Sequence, residues 1–207
     1  MRVTGWVLGA VQTNCYCVYN EGEDSAVIID PGDNGDIIGK RLEDKGLKAG
    51  AILLTHSHFD HIGGVKELVT LFNCPVYACE DERELCESAE LNLSLEFGRG
   101  LTLENVTYLP DGHEIDACGL KCTLIETPGH TKGSCCYYFR DEDILFTGDT
   151  LFFSSVGRTD FPTGSSSTLV RSVKEKLLVL PDDTVCYPGH GEATTIGTER
   201  SGNPFII

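Results

Sequence analysis

An α/β fold is predicted by three observations. Short apolar runs alternate with segments of helical spacing through the first half of the chain. Several of those runs end in glycine-containing turns that carry a single His or Asp. The length, 207 residues at 41% hydrophobic and 23% charged, suits one well-filled core, so residues 1–207 are read as a single domain.

Taken in order, residues 3–19 carry apolar and aromatic side chains in partial alternation. Glu21-Gly22-Glu23-Asp24 then supplies a turn and Ala26-Val27-Ile28-Ile29 a buried strand, together a hairpin. Asp30-Pro31-Gly32 stops that strand, because Pro and Gly force a turn. Ile37, Ile38 and Leu42 suit one face of a short helix ending near Gly46. A second apolar strand, residues 51–54, precedes a helix expected from Asp60 to about Phe72, with Ile62, Val65, Leu68 and Val69 on one face. A strand at 75–78 follows. Residues 81–95 place Leu85, Cys86, Ala89 and Leu93 at helical spacing with an acidic opposite face, which reads as a solvated surface helix or as a lip over a site. Short strands are expected at 101–103, 106–109, 120–125, 135–139, 144–146 and 184–187. Ser165 to Thr168 cap an amphipathic helix carrying Leu169, Val170, Val173 and Leu177, and the apolar end Phe205-Ile206-Ile207 is expected to pack down.

The chemistry concentrates after the strand at 51–54, in His56-Ser57-His58-Phe59-Asp60-His61. Three of the six histidines of the chain fall in this hexapeptide. On an extended backbone His56 and His58 point to the same side, and Asp60 and His61 follow from the first turn of a helix. Imidazole nitrogen and carboxylate oxygen are the donors that zinc and similar divalent ions take. Three later strands each deliver one more donor on a glycine turn: Gly129-His130, Gly148-Asp149 and Gly189-His190. The candidate ligands are therefore His56, His58, Asp60, His61, His130, Asp149 and His190, too many for one four-coordinate ion and suited to two ions sharing a carboxylate. His113, in Pro110-Asp111-Gly112-His113, reads as a surface turn.

This order of motifs, H-x-H-x-D-H and then Gly-His, Gly-Asp and Gly-His, resembles the metallo-β-lactamase superfamily along nearly the whole chain. The resemblance implies a four-layer αββα sandwich of two pseudo-symmetric halves. It implies that His56, His58 and His130 hold one metal and Asp60, His61 and His190 the other, with Asp149 bridging; Asp60 and Asp149 are the carboxylates on which catalysis would rest. Ile29-Asp30-Pro31-Gly32, Gly157-Arg158-Thr159-Asp160-Phe161 and Asn203-Pro204-Phe205 resemble short glyoxalase-II-like hydrolases, similar to hydroxyacylglutathione hydrolases reduced to the catalytic domain. The implied cofactors are two divalent ions, zinc with iron or manganese as alternatives. The implied reaction is hydrolysis of a small thioester by a hydroxide formed between the ions, with a thiol that leaves as thiolate unaided. Full-length hydroxyacylglutathione hydrolases continue into a basic helical region that binds glutathione, whereas only a short tail follows His190 here, so the thiol carrier stays open.

Arg158 reads equally as a clamp on a substrate carboxylate or as the partner of Asp160; Lys132 reads as a substrate contact or as a solvated turn lysine. The rival readings are a persulfide dioxygenase-like oxidoreductase with one iron on His56, His130 and Asp149, and a lactonase of the same superfamily. A formal charge of -16, from 16 Lys plus Arg against 32 Asp plus Glu, opposes a nucleic-acid partner. No apolar run spans a membrane, no signal peptide is recognisable, and no protein partner is indicated, so a cytoplasmic location is expected. Ten cysteines without a C-x-x-C pair are read as reduced thiols that serve as small apolar residues.

Overall fold

The computed structural model describes residues 1–206. A first six-stranded sheet runs in chain order through β1 (Arg2–Leu8), β2 (Thr13–Tyr19), β3 (Ser25–Ile29), β4 (Lys48–Leu53), β5 (Val76–Cys79) and β6 (Val106–Leu109). β1, β2 and β3 pair antiparallel; β3 to β6 are parallel. The parallel strands are linked by helices, α1 (Gly35–Asp44) before β4 and α2 (Phe59–Ile62) with α3 (Val65–Phe72) before β5, as parallel pairs require.

The second sheet contains β7 (Glu114–Ala117), β8 (Leu120–Glu126), β9 (Cys135–Phe139), β10 (Ile144–Gly148), β13 (Val185–Pro188) and β14 (Thr194–Thr195), in the spatial order β14-β13-β10-β9-β8-β7. A small two-stranded ribbon, β11 (Leu151–Phe152) and β12 (Ser155–Val156), precedes α5 (Ser166–Ser172), and α6 (Ile196–Gly202) closes the chain. β8 and β10 both run antiparallel to β9, and β13 is parallel to β10. The carboxyl ends of β8, β10 and β13 therefore lie along one edge of the sheet.

Side-chain alternation sorts the layers. In β2, Cys15 and Cys17 join an outer core with Ile38, Leu42, Val65 and Leu68 of the helices, while Tyr16 and Val18 face the second sheet. In β9, Cys135, Tyr137 and Phe139 enter that inter-sheet core, and Cys136 and Tyr138 meet Val173 and Leu177 beyond α5. This period of two, read on both faces, makes a four-layer αββα sandwich. All ten cysteines are free thiols and all but Cys118 are buried, in keeping with their use as small apolar residues.

Four local expectations are corrected. The helix expected over 60–72 breaks at Gly63-Gly64, where the Gly64 N–H donates to the Pro31 carbonyl at 2.7 Å and a side chain on Gly63 would strike the Gly32 carbonyl. The loop after β3 thus lies against the break, an approach open only to glycine. The helix expected over 81–95 is reduced to α4 (Arg83–Glu87) after a 3₁₀ turn at Glu80–Glu82. Buried Asn92 donates to the Leu85 and Leu101 carbonyls at 3.2 and 2.8 Å, and Ser94 Oγ accepts from the Leu101 N–H at 2.8 Å. These side chains take the groups that a longer helix, or the strand expected at 101–103, would need. Ser165 takes the N-cap position of α5, but its hydroxyl meets that of Thr168 instead of a backbone N–H. At the tail Ile206 is buried; Ile207 lies outside the described residues.

Candidate metal centre

β4 ends at Leu53, the chain bends at Thr55, and His58 carries φ -60° and ψ 149°, an extended conformation, at the N-cap of α2. His56 and His58 consequently face one space, with ring centroids 4.9 Å apart, and the first turn of α2 brings His61 to 4.0 Å from His56. His56, His58 and His61 are all buried. The other sheet supplies His130 after β8, Asp149 after β10 and His190 after β13, so all seven predicted ligands meet where strand ends of the two sheets converge, the usual place for a site in α/β folds.

The donors fall into overlapping groups whose ligand atoms lie within 4.8 Å of one another: His56, His58 and His130; Asp60, His61 and His190; and His56, His61 and Asp149. Asp149 stands between the first two. Its Oδ2 is 3.6 Å from both His130 Nε2 and His190 Nε2, and its Oδ1 is 3.5 Å from His61 Nε2. Asp60 Oδ2 is 3.2 Å from His190 Nε2 and 3.5 Å from His61 Nε2. Gly189 is required at this point, since a methyl group there would strike Asp149 Oδ1 and the His61 ring.

Hydrogen bonds behind the ligands choose their tautomers. Thr55 gives its hydroxyl proton to Asp30 Oδ2 at 2.6 Å, so at 3.2 Å from His56 Nδ1 its oxygen acts as acceptor, leaving His56 Nε2 with a lone pair. His61 Nδ1 faces Asp30 Oδ2 at 2.9 Å and His130 Nδ1 donates to the Arg158 carbonyl at 2.7 Å, which frees both Nε2 atoms. His58 Nδ1 lies 2.9 Å from His130 Nε2, so these two nitrogens converge on one point. Nε2 of His56, His58 and His61 and Oδ1 of Asp149 are buried without any hydrogen-bond partner. Leaving such atoms unpaired is expensive, and a shared cation answers the cost for the converging acceptors. The residues present fit two divalent ions.

The electrostatics agree. Burial, reinforced by the neighbouring imidazoles, holds His56 and His58 well below the ordinary histidine range, as neutral imidazoles able to ligate. For His61 burial acts in the opposite sense to the carboxylates of Asp60, Asp30 and Asp149, and these push it up to about 10. Burial would raise Asp60, but His61, His190 and the Thr13 hydroxyl, 2.7 Å from Oδ2, outweigh it and hold the carboxyl well below the usual carboxylate range.

Three residues behind the site lay outside the sequence-based ligand set: Thr13, Asp30 and Glu82. Asp30 accepts from the Thr55 N–H at 2.8 Å in addition to Thr55 Oγ1 and His61. Glu82, 1% exposed, accepts from the Ser57 N–H at 2.7 Å, from Thr131 Oγ1 at 2.8 Å and from the Gly133 N–H at 3.1 Å. It ties the His56–His58 segment to the His130 loop, and burial pushes its carboxyl up to about 7.

A cavity of about 450 Å³ opens over the donors. Its edge is formed in part by Leu93, Glu96 and Phe97, so the 81–95 region contributes a lip, though not as a helix. Arg158 also lines it, with its guanidinium bound in two places to Asp160 at 2.7 Å each. Lys132 is exposed and does not line the cavity; its N–H donates to Thr163 Oγ1 at 3.1 Å. His113 lies exposed on the turn between β6 and β7.

Known proteins resemble this chain in sequence and in fold. Residues 8–190 match the model of the metallo-beta-lactamase superfamily. A probable metallo-hydrolase of Bacillus subtilis is 39% identical over 96% of this chain and 94% of its own length. A hydroxyacylglutathione hydrolase of Haemophilus influenzae is 35% identical over 95% of this chain and 94% of its own. Among solved structures, the BLEG-1 B3 metallo-beta-lactamase superposes with a TM-score of 0.93 at 39% identity, covering 99% of both chains. A protein crystallised in a di-iron-bound form gives 0.88 at 36% identity, covering 98% of this chain and all of that one.

Proposed function

We propose that this chain, which belongs to the metallo-beta-lactamase superfamily and is a metallo-hydrolase by that membership, is a dinuclear thioester hydrolase. The observation that carries the reading is the pair of three-residue donor groups on either side of Asp149, with converging unpartnered acceptors. His56, His58 and His130 would hold one divalent ion, Asp60, His61 and His190 the second, and Asp149 would bridge. The similarity to a hydroxyacylglutathione hydrolase supports a thioester as substrate, and the similarity to a di-iron protein admits iron as well as zinc or manganese. Residues 1–207 would act as one domain on a small molecule, with neither nucleic acid nor a protein partner. No helix among the described residues is long and apolar enough to cross a membrane.

Two divalent ions so held would bring a shared water to ionisation near neutral pH and polarise an acyl oxygen beside it. The chain's part is to keep the donors in place and in the right protonation state. Asp30 holds the His61 proton on Nδ1, the Arg158 carbonyl does the same for His130, and Thr55 for His56. Hydrolysis adds one water across the acyl carbon–sulfur bond and releases an acid and a thiol. A thiol with pKa about 8.5 departs as thiolate without a proton donor, which suits a cavity whose only Lys or Arg among the described lining residues is engaged by Asp160.

Elemental analysis of the purified chain, alongside hydrolysis of S-lactoylglutathione, tests the reading. Two ions per chain with thioester cleavage is the expected result; a single iron with oxygen uptake on a persulfide, and no thioester cleavage, would overturn it. The likeness to a B3 metallo-beta-lactamase favours a second reading, lactam hydrolysis, which a chromogenic cephalosporin would report in the same experiment.

A further inference from the structure

The walls of the cavity limit what kind of thioester it can take. Phe161 stands edge-on to His58 at 5.5 Å between ring centroids, on the side of the first donor group. Phe152 stands edge-on to His190 at 6.3 Å, on the side of the second. Phe59 and Phe97, which also line the cavity, stack at 3.9 Å with an interplanar angle of 21°, and Val11, Leu93 and Val156 add to the apolar lining. Phe97 and Val11 are 54% and 41% exposed, so a large apolar surface is held open at the mouth with no side chain covering it.

Charge is arranged against anions. Glu96 lines the mouth, and the chain as a whole carries -16. Arg158, the only Lys or Arg among the described lining residues, is bound at two points by Asp160 and lies 3.8 Å over the Phe161 ring. A carboxylate entering here meets Arg158 only in competition with Asp160, at a solvent-exposed pair where such an exchange gains little, so the cavity offers it no free Lys or Arg as an anchor.

On the reading of the site as a thioester hydrolase, we propose that its substrates are thioesters whose two arms are uncharged and of which at least one is aromatic or branched apolar, and that it discriminates against carboxylate-bearing thiols such as glutathione. Since an aromatic ring flanks each donor group, either orientation of the thioester places each arm against an apolar wall. The shape of the cavity thereby takes the place of a charged anchor.

The test compares S-benzyl lactothioester with S-lactoylglutathione, which share an acyl group and an alkyl thiol leaving group, on metal-loaded enzyme. The expected result is a kcat/KM at least about tenfold higher for the benzyl ester, carried mainly by KM. Phe97→Ser, a change at an exposed ring, should collapse that ratio by several-fold. Binding of two non-hydrolysable thioethers, S-benzylglutathione and S-benzyl-N-acetylcysteamine, is measured by calorimetry in parallel. Equal or better kinetics and binding with the glutathione compounds would overturn the proposal. Tighter binding of the neutral thioether with no thioester cleaved would uphold the apolar preference while overturning the thioesterase reading on which it stands.

Discussion

The two sheets contribute to the metal centre in different ways. The first supplies four donors from one hexapeptide, His56 to His61, whose geometry is local: an extended segment followed by one helical turn. The second supplies three, His130, Asp149 and His190, each from a different strand, so their convergence depends on the register of β8, β9, β10 and β13. The supporting residues differ accordingly. The hexapeptide is tied down mainly by side chains, Asp30, Thr13 and Glu82, the last of which also takes two donors from the His130 loop, whereas the rest of the second set is placed by close backbone approaches, as at Gly189. A local cluster needs external anchoring to hold its angles; a set carried on paired strands has its anchoring in the sheet.

The sharpest way to break the comparison is to remove the residue that joins its two sides. Asp149→Ala should cost more than about 100-fold in hydrolysis and at least one bound ion, because neither donor group is complete without it. Elemental analysis with a rate assay checks this, and near-normal rates with two ions retained would refute the bridging role. Next in size is Asp30→Asn, which keeps the shape but can present an amide N–H to His61 Nδ1. Metal affinity should fall about 10- to 100-fold, as for other partners of ligating histidines, and titration with a metal indicator would read it. An unchanged affinity would mean that α2 alone orients His61.

Glu82→Gln tests the other anchor. Glu82 receives three donors from two loops, and an amide cannot accept as many, so stability should fall by about 1–3 kcal/mol. Denaturant unfolding measures it. Because the strands still place His130, the loss of metal affinity should be smaller than for Asp30→Asn; a larger one would show that the His130 loop depends on Glu82 more than on its sheet.

What was readable from the sequence follows the same division. The H-x-H-x-D-H run and the three glycine turns carry the ligands within a few residues of a strand end, so all seven donors were identifiable before their positions were known. The sandwich was readable only through the family resemblance that those motifs carry; the strands agree with it, since Cys15 to Val18 and Cys135 to Phe139 pack on both faces, as in a covered sheet. Glu82 was hidden because it sits in the acidic run Glu80-Asp81-Glu82 and becomes buried only through partners about 25 to 50 residues away. The break at Gly63-Gly64 was hidden for the same reason, being set by the loop after β3 instead of by the helical pattern.

The last effect expected is one of pH, and it separates the empty centre from the loaded one. In the metal-free protein His61 is raised from 6.5 to about 10 by Asp60, Asp30 and Asp149 against the opposing effect of burial. A base raised in the folded state contributes stability that is complete below its unfolded pKa and is lost as pH rises through the folded one. Between pH 7 and 9 the folded chain therefore keeps a proton that the unfolded chain releases, and His190, raised in the same direction, adds to this. Each retained proton lowers stability by about 1.4 kcal/mol per pH unit, and a chain of this size shifts by about 2–4 °C in Tm per kcal/mol. The buried thiols are raised too and begin to contribute as pH approaches their unfolded value of about 8.5, but they do so alike with and without ions, so the difference between the two forms belongs to the histidines. Calorimetry on the chelated protein should show Tm falling across pH 7–9. With ions bound, the proton on His61 is displaced and the slope should become shallower by the histidine share. An equal slope in both forms would mean that His61 stays protonated in the loaded protein, and it could not then be a ligand.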